Sequence, residues 1–383
     1  MKVLLIGNFP PDRQTSMLAF QAVMQRELQR TGCDVRLVAP RALLRRLPWP
    51  RRLEKWVGYV DKFVLFPLGL GRHLRWADVV HVTDHSNAMY VPRTTPRPTL
   101  VTCHDVIAIQ AARGLVPGWN VGASGRLLQR LIEKGLGRAD AVACVSHLTE
   151  RDLLGLGLAP RERVGLVLNG LNAAFAPVPA PVAAPHLQQL GLAPTDRYLM
   201  HIGLDLPRKN RIQVLRAFIA LQRRARDRAQ PAAALDRLLF VGPPLSPEMA
   251  GEARAAGVLE QLIVAQDVSH DALCALYSNA TALLFPSLQE GFGWPVIEAQ
   301  ACGCPVVTSD LAPMNEIGSR AAEYADPLDA EALADAVERA LPRLDDMRRL
   351  GLANAAHYST ETMTRNYVDT YRRLLAAQQG ATA

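Results

Sequence analysis

The chain has 383 residues, of which 49% are hydrophobic and 21% charged, the usage of a folded globular protein rather than a disordered or fibrous one. At this length we expect two domains, each with its own core. No apolar run reaches the roughly 18 residues that a membrane-spanning helix needs. The short apolar start leads into an Asn-Phe-Pro-Pro turn without a small-residue cleavage site. We therefore expect a first strand rather than an export signal, and a cytoplasmic location.

The cysteines lack the spacing of a disulfide framework. There are six of them: Cys33, Cys103, Cys144, Cys274, Cys302 and Cys304. Cys302 and Cys304 are closer together than a zinc-binding pair, and no second pair accompanies them. We therefore expect reduced core thiols rather than a metal site. We also expect no resident cofactor.

The net charge of +7 is concentrated between positions 41 and 75, where nine Lys and Arg residues face only Glu54 and Asp61. Three tryptophans lie in or next to this stretch: Trp49, Trp56 and Trp76. A basic, aromatic segment of this kind suits an anionic membrane surface, which would place the protein peripherally at the inner face of a membrane. A solvated helical face with ordinary core aromatics is the alternative. No nucleic-acid-binding motif accompanies the charge, so we expect no nucleic acid partner.

Short runs rich in Val, Leu and Ile alternate with longer amphipathic stretches, which is typical of βαβ units and parallel sheets. The strands predicted in the first half are at 3–6, 35–38, 79–82, 99–102, 141–145 and 164–168. Those predicted in the second half are at 198–202, 238–241, 262–264, 282–285 and 306–308. A Pro- and Ala-rich stretch at 176–185 predicts a linker. We thus predict an α/β protein with domains at 1–178 and 190–360.

The stretch 285–299, FPSLQEGFGWPVIEA, begins where a predicted strand ends and runs through two glycines into a helix. Pro295 is favoured in a first helical turn. Such a loop offers backbone N–H groups and the positive end of a helix dipole to an anion. Glu290 precedes the turn and Glu298 lies about one turn into the helix, so both carboxylates can border one pocket and bind hydroxyl groups. The alternative makes them ordinary acids stabilised by the helix dipole.

A second element is the predicted strand at 198–202 with the basic turn that follows it. Arg208 and Lys209 are adjacent cations at the start of a helix. They could neutralise the charge on a departing nucleoside diphosphate without a divalent metal. The alternative makes them solvated surface cations.

The string from Glu290 to Glu298 resembles the Glu-x7-Glu signature of family-four retaining glycosyltransferases, and the basic turn resembles their Pro-Arg-Lys-Asn subgroup. This resemblance implies the GT-B fold, with two Rossmann-like domains facing a central cleft, and a helix at 361–378 that packs back on the first domain. It implies metal-independent, retaining transfer of a hexose, with mannose as a candidate, from a GDP- or UDP-linked donor. The implied acceptor is a glycan or a lipid-linked glycan in surface-polysaccharide assembly.

The resemblance also implies roles for single residues. Glu298 would bind the donor ribose, Glu290 would face the transferred sugar, and Lys209 would hold the phosphates. Leu204 stands where many relatives carry Arg, so Arg208 is expected to take over that role. The remaining predicted donor contacts are Gly203, Val268, Gly291, Phe292, Gly293, Trp294, Pro295 and Val296.

In the first half, His104 and Asp105 resemble a His-Asp pair of the family, which implies that His104 points into the cleft near the reacting carbon. A buried core histidine is the alternative. The turn after the first strand lacks the double glycine of most relatives. Asn8, Gln14 and His85 are the predicted acceptor contacts. Two rival functions remain open, a sugar-nucleotide epimerase of the same fold and a non-catalytic sugar-binding protein.

Overall fold

The computed structural model describes residues 1–12, 14–92, 97–193, 195–228 and 235–382. The chain divides into two compact units. Unit 1 contains residues 1–173 together with 360–383, and unit 2 contains residues 174–359. Unit 2 therefore begins earlier than the predicted start at 190.

Unit 1 is built on a parallel sheet with the strand order β2-β1-β3-β4-β5-β6 among the described residues. The strands are β1 Lys2–Ile6, β2 Asp34–Val38, β3 Val79–Val82, β4 Thr99–Cys103, β5 Ala141–Cys144 and β6 Val164–Leu166. Every side chain of β3 and β4 is buried, as expected for central strands of a parallel sheet that is covered on both faces. All strands predicted in this half are confirmed, with ends that differ by one or two residues.

The helices of unit 1 that precede residue 174 are α1 Thr15–Arg30, α2 Arg51–Val60, α3 Phe66–Trp76, α4 Ile107–Ala112, α5 Ala123–Leu136 and α6 His147–Gly155. A π-helical turn, Asp61–Leu65, joins α2 to α3, so the basic segment is mostly helical. The buried carboxylate of Asp61 accepts the N–H groups of Leu44 and Arg45 at 2.9 and 3.1 Å. This contact ties the irregular stretch before α2 to the helix.

Unit 2 is built on a second parallel sheet, with the order β12-β11-β10-β7-β8-β9 among the described residues. Its strands are β7 Tyr198–Ile202, β8 Arg237–Val241, β9 Leu262–Ala265, β10 Ala282–Phe285, β11 Val306–Ser309 and β12 Ala322–Ala325. The predicted strands are confirmed, and β12 was not predicted. Its sequence, AEYA, is half-buried at the sheet edge and lacks the apolar run on which the prediction depends.

The helices of unit 2 are α7 Ala180–Gln189, α8 Arg211–Asp227, α9 Pro247–Ala255, α10 His270–Asn279, α11 Trp294–Ala301, α12 Met314–Gly318, α13 Ala330–Ala340 and α14 Leu344–Ala355. The prediction of a linker at 176–185 is wrong, because α7 occupies its second half. Ala183 and Leu187 are buried, and the helix packs on α10. Burial of this apolar face outweighs the backbone hydrogen bond that Pro185 removes inside the helix.

The C-terminal helix, α15 Thr360–Thr382, belongs to unit 1. Its buried Tyr371 hydroxyl lies 2.6 Å from Nδ1 of His81, and its buried Tyr367 hydroxyl lies 2.8 Å from Oγ1 of Thr102. The other ring nitrogen of His81 is 2.8 Å from the same Thr102 oxygen. Burial lowers the pKa of His81 to about 3. A neutral, fully hydrogen-bonded group thus attaches α15 to β3 and β4.

Candidate functional site

A basic turn lies at the carboxyl end of β7. It contains the short 3₁₀ turn Pro207–Lys209 and ends at Asn210, which adopts the left-handed conformation at φ 57°. Asn is one of the few residues that tolerate this conformation. The Asn210 amide donates to the carbonyl oxygens of Pro286 and Pro327 at 3.0 and 2.6 Å. The turn after β7 is thereby held against the loop that follows β10.

Glu290, in that loop, forms ion pairs with both predicted cations. Its Oε1 lies 2.6 Å from Nζ of Lys209, and its Oε2 lies 3.1 Å from Nη1 of Arg208. The Ser287 hydroxyl is 2.6 Å from the same Oε1. Only 13% of the Lys209 side chain and 11% of the Glu290 side chain are exposed, so solvent screens this pair weakly. Two cations face one carboxylate, so the cluster keeps an excess of positive charge.

The glycine loop leads into α11 as the sequence predicts. Gly293 precedes the helix at φ 96°, a conformation that glycine adopts without strain, and Pro295 occupies the first turn. Phe292 is buried between the rings of Trp294 and Tyr358, at 5.8 and 5.9 Å. Phe292 therefore holds the loop in place through its side chain.

Val296 and Val268 are two further predicted donor contacts in unit 2. Val296 is fully buried, and its N–H donates to the Gly293 carbonyl at 3.0 Å inside the first helical turn. Val268 lies in the loop after β9, two strands away from β7 in the sheet order. The roles of both residues as donor contacts remain predictions.

Glu298 lies on the first turns of α11 and is only 7% exposed. The Tyr277 hydroxyl donates to its Oε2 at 3.2 Å. Burial raises the pKa of Glu298 to about 7, although the Tyr277 hydroxyl and the charges of His270 and Lys209 oppose the rise. A buried carboxyl with a strongly shifted pKa is a frequent mark of a functional site.

Gly203 leaves space for Lys209 beside β7. A Cβ on Gly203 would lie 3.4 Å from Cγ and Cδ of Lys209, so the lysine stem packs directly over this glycine. Gly242, after β8, would place a Cβ 2.3 Å from the Gly203 carbonyl oxygen. Leu204 is 64% exposed, and its uncharged side chain does not supply the positive charge that the resemblance implies for many relatives at this position. Arg208 therefore remains the cation that accompanies Lys209.

The predicted acceptor residues form a second polar cluster, in unit 1. The Asn8 amide donates to Oε1 of Gln14 at 2.6 Å and to Oδ2 of Asp84 at 2.5 Å. Nδ1 of His85 lies 3.3 Å from the other Asp84 oxygen, and its Nε2 lies 4.0 Å from Asp105. These residues follow β1, β3 and β4, so neighbouring strand ends bring them together.

Asp84 is the residue of this cluster that the sequence analysis missed. Burial alone would raise the pKa of its carboxyl, but His85, His104 and the Asn8 amide lower it below its usual value. The position after β3, directly before a predicted contact, was the available signal. Asp84 thus stays ionised and orients Asn8 and His85.

His104 is only 5% exposed. Its Nε2 lies 3.0 Å from the Thr83 carbonyl oxygen, and its ring packs edge-on against Phe20 at 4.7 Å. Burial lowers the pKa of His104, and the Asp84 carboxylate offsets this only in part. Unit 1 by itself therefore surrounds His104 as it would a core histidine, and a role beside the reacting carbon remains a prediction.

The described part of the chain contains neither a group of metal-binding side chains nor a membrane-spanning helix. Across residues 1–12, 14–92, 97–193, 195–228 and 235–382, no three His, Cys, Asp or Glu side chains are grouped so that they could hold a metal ion. Within the same ranges no helix is both long enough and apolar enough to cross a membrane. Metal independence itself remains a prediction.

Both halves of the chain match glycosyltransferase family models. The family described as Glycosyltransferase Family 4 matches residues 23–175, and the one described as Glycosyl transferases group 1 matches residues 184–355. The chain therefore belongs to the family-four glycosyltransferases of GT-B fold.

Curated relatives of the chain are themselves glycosyltransferases. O-antigen chain mannosyltransferase B of Escherichia coli is 26% identical over 314 residues, which cover 79% of this chain and 78% of the relative. The serotype-specific mannosyltransferase WbdA of Escherichia coli is 25% identical over 296 residues, and the match spans 34% of its length. A D-inositol 3-phosphate glycosyltransferase of Nocardia farcinica is 29% identical over 310 residues, or 75% of this chain and 63% of the relative. The chain thus spans only about a third of WbdA.

Solved structures share the fold over nearly the whole chain. Sucrose-phosphate synthase from Thermosynechococcus elongatus superposes with a TM-score of 0.73 at 18% identity, covering 98% of this chain and 100% of that one. Anabaena HepE in complex with UDP and glucose has a TM-score of 0.73 at 14% identity, with coverages of 97% and 100%. WaaG, a glycosyltransferase of lipopolysaccharide biosynthesis, has a TM-score of 0.69 at 16% identity, with coverages of 97% and 99%. At these identities the likeness establishes the fold alone.

Proposed function

We propose that this glycosyltransferase moves a hexose, with mannose the leading candidate, from a nucleoside diphosphate sugar to a glycan or lipid-linked acceptor during surface-polysaccharide assembly. The observation that carries the proposal is the cluster of Arg208, Lys209 and Glu290 beside the loop that begins α11. The names of the Escherichia coli relatives, both mannosyltransferases, support the choice of sugar and pathway. The bound UDP and glucose in the HepE structure support a nucleotide-sugar donor.

The proposed chemistry follows from the charges of unit 2. Departure of the nucleoside diphosphate leaves negative charge on its phosphates. Lys209 and Arg208 stabilise this charge, because preorganised cations in a weakly solvated site need no reorganisation during the reaction. The backbone N–H groups around Gly291 and Gly293 assist at the positive end of α11. Glu298 accepts hydrogen bonds from the donor ribose.

We propose retention of the anomeric configuration. We assign no protein nucleophile to the reaction. The bond between the anomeric carbon and the phosphate oxygen breaks, the acceptor oxygen attacks that carbon from the face that the phosphate vacates, and the acceptor proton passes to the departing phosphate. Asn8, Gln14 and His85 hold the acceptor, and Asp84 keeps Asn8 and His85 in position.

Activity is expected to survive excess EDTA, because Lys209 and Arg208 supply the positive charge that a divalent metal supplies elsewhere. The measurement is nucleoside diphosphate release from a panel of GDP- and UDP-linked sugars, with acceptor present and with EDTA in excess. NMR of the glycosidic product reports the anomeric configuration.

Loss of turnover in EDTA that magnesium or manganese restores would contradict metal independence. The same panel without acceptor tests the rival functions. An epimerised nucleotide sugar would favour the epimerase, and binding without any turnover would favour the sugar-binding protein.

We also propose that unit 1 docks on an anionic membrane surface. Large apolar side chains are exposed along the basic segment, among them Leu43, Leu47, Trp49, Leu53, Trp56, Val60, Val64 and Leu68. Others are exposed at Leu115, Trp119, Leu127 and Leu131. Leu128 of α5 lines the same cavity as Gly58 of α2, so the two stretches adjoin. An exposed apolar surface with a basic surround suits the interface of an anionic bilayer.

Replacing Arg46, Arg52 and Arg75 together with Ser is expected to abolish sedimentation with anionic vesicles at low salt. Each cation near such a surface contributes about 1 kcal/mol, so binding should weaken by about two orders of magnitude. Wild-type protein should detach as salt rises, because screening shortens the reach of its charges. The matched control replaces the exposed Arg226, Arg254 and Arg320 of unit 2 with Ser, which changes the net charge by the same amount. Wild-type protein that never sediments would refute docking.

A further inference from the structure

A cavity of about 440 Å³ opens in unit 1, beside the turn that follows β1. Phe9 and Asp12 of that turn line one side, and Gly58 and Tyr59 of α2 line another. Leu128 of α5 contributes an aliphatic surface. This volume lies within the range of about 300–1,000 Å³ that is usual for small-molecule sites.

The charges in the cavity balance. Arg45 and Lys62 line it together with Asp12 and Glu54. Nζ of Lys62 lies 2.6 Å from Oδ2 of Asp12, so one cation is already neutralised. An incoming diphosphate would therefore meet two carboxylates and two cations, and one of the cations is already paired with a carboxylate. A neutral, polyhydroxylated ligand would instead find both donors and acceptors for its hydroxyl groups.

Aromatic rings supply the apolar part of the site. Phe9 and Tyr59 are among the residues that line the cavity, and the Trp56 ring meets the Tyr59 ring edge-on at 5.8 Å. Trp56 is 59% exposed, so it extends this aromatic surface toward solvent. Aromatic faces with a few well-placed polar groups are typical of sites that orient an amphipathic ligand, and a sugar ring has one apolar face.

The cavity and the acceptor cluster are linked in sequence by a single turn. Phe9 directly follows Asn8, whose amide holds Gln14 and Asp84. The Asp12 N–H donates to the Phe9 carbonyl at 3.0 Å, and the turn Pro10–Asp12 is a short 3₁₀ helix. One short turn therefore carries both an acceptor contact, Asn8, and two residues that line the cavity, Phe9 and Asp12.

We propose that this cavity is a glycan subsite that binds a neutral sugar residue of the acceptor, one or more residues away from the sugar that is extended. The inference rests on the proposed function, since it gives a binding site to the part of the same acceptor that lies away from the reacting sugar. It predicts that longer acceptors bind more tightly than single sugars, and that the difference depends on this cavity.

The test fills the cavity from α2. A Cβ on Gly58 would meet only Cδ and Nη1 of Arg45, at 3.8 and 3.9 Å, which are ordinary contacts. Gly58→Leu is expected to raise KM for an oligosaccharide acceptor at least tenfold, while donor KM and KM for a monosaccharide acceptor stay near wild type. The matched control is Gly69→Leu in α3, where a Cβ meets no atom within 4 Å. Melting curves confirm folding, and Tyr59→Ala, which removes the aromatic wall, serves if Gly58→Leu does not fold.

An unchanged oligosaccharide KM in the folded variants would overturn the subsite. Calorimetric titration of a neutral oligosaccharide into wild-type and Gly58→Leu protein tests binding without turnover, so the subsite can be judged even if the proposed transfer fails. Stronger binding of inorganic diphosphate than of the oligosaccharide, lost in Gly58→Leu, would also overturn it and assign the cavity to an anion.

Discussion

Replacing Lys209 with alanine is expected to lower kcat by about 10²–10³, the range seen when one charge-stabilising donor is removed from an active site. The lysine is nearly enclosed, and its ammonium lies 2.6 Å from Glu290 and 5.2 Å from the centre of the Phe285 ring. Little water can replace it in such a site. Its charge should matter most when the phosphates carry the most negative charge, so kcat should fall more than donor KM rises.

Steady-state kinetics of nucleoside diphosphate release measure this effect. Arg208→Ala is the matched comparison, because 30% of its side chain is exposed and its bond to Glu290 is longer, at 3.1 Å. We expect it to lose less activity than Lys209→Ala. A folded Lys209→Ala protein with the wild-type rate would show that the lysine serves only the structure of the loop.

The strands of both sheets could be predicted because parallel strands covered on both faces appear as short, continuous apolar runs. The loop before α11 could also be predicted, since Gly293 and Pro295 occupy positions that their own backbone preferences favour. The helix at 180–189 was hidden for the opposite reason. Its prolines and alanines indicate a linker, and only burial of its apolar face against α10 makes it a helix.

The ion pairs of Glu290 could not be predicted from spacing. Arg208 and Glu290 are 82 positions apart, and they meet because β7 and β10 are neighbours in the sheet. Neighbouring strands that are distant in sequence leave no local signal. The same argument explains why Asp84 was missed, since its contact with Asn8 depends on the pairing of β1 with β3.

Glu298→Gln is expected to raise donor KM more than it lowers kcat. The ribose does not react, so its hydrogen bonds are similar in the ground and transition states. The pKa of about 7 adds a pH dependence, because the ionised carboxylate is the better hydrogen-bond acceptor, and wild-type donor KM should fall as pH rises through 7.

The raised pKa of Glu298 also affects folding stability. The folded protein keeps the Glu298 carboxyl protonated at pH values where the unfolded chain has lost that proton. Stability therefore falls as pH rises from the ordinary glutamate pKa of 4.5 to about 7, and the Gln variant should lose that slope.

Glu290→Gln is expected to act mainly on kcat. The structure shows the carboxylate holding Lys209 and Arg208, and the family resemblance implies contacts with the transferred sugar, which gains positive charge as the bond breaks. Both roles matter more in the transition state than in the ground state. The neutral amide keeps the shape of the side chain and gives up both ion pairs, so the two cations lose their orientation.

The most direct test of the proposed donor site is steady-state kinetics of Glu290→Gln and Glu298→Gln side by side, with circular dichroism to confirm folding. We predict a fall in kcat for the first and a rise in donor KM for the second. Wild-type kcat and KM in both folded variants would contradict the account, because the two carboxylates would then only stabilise the loop and the start of α11.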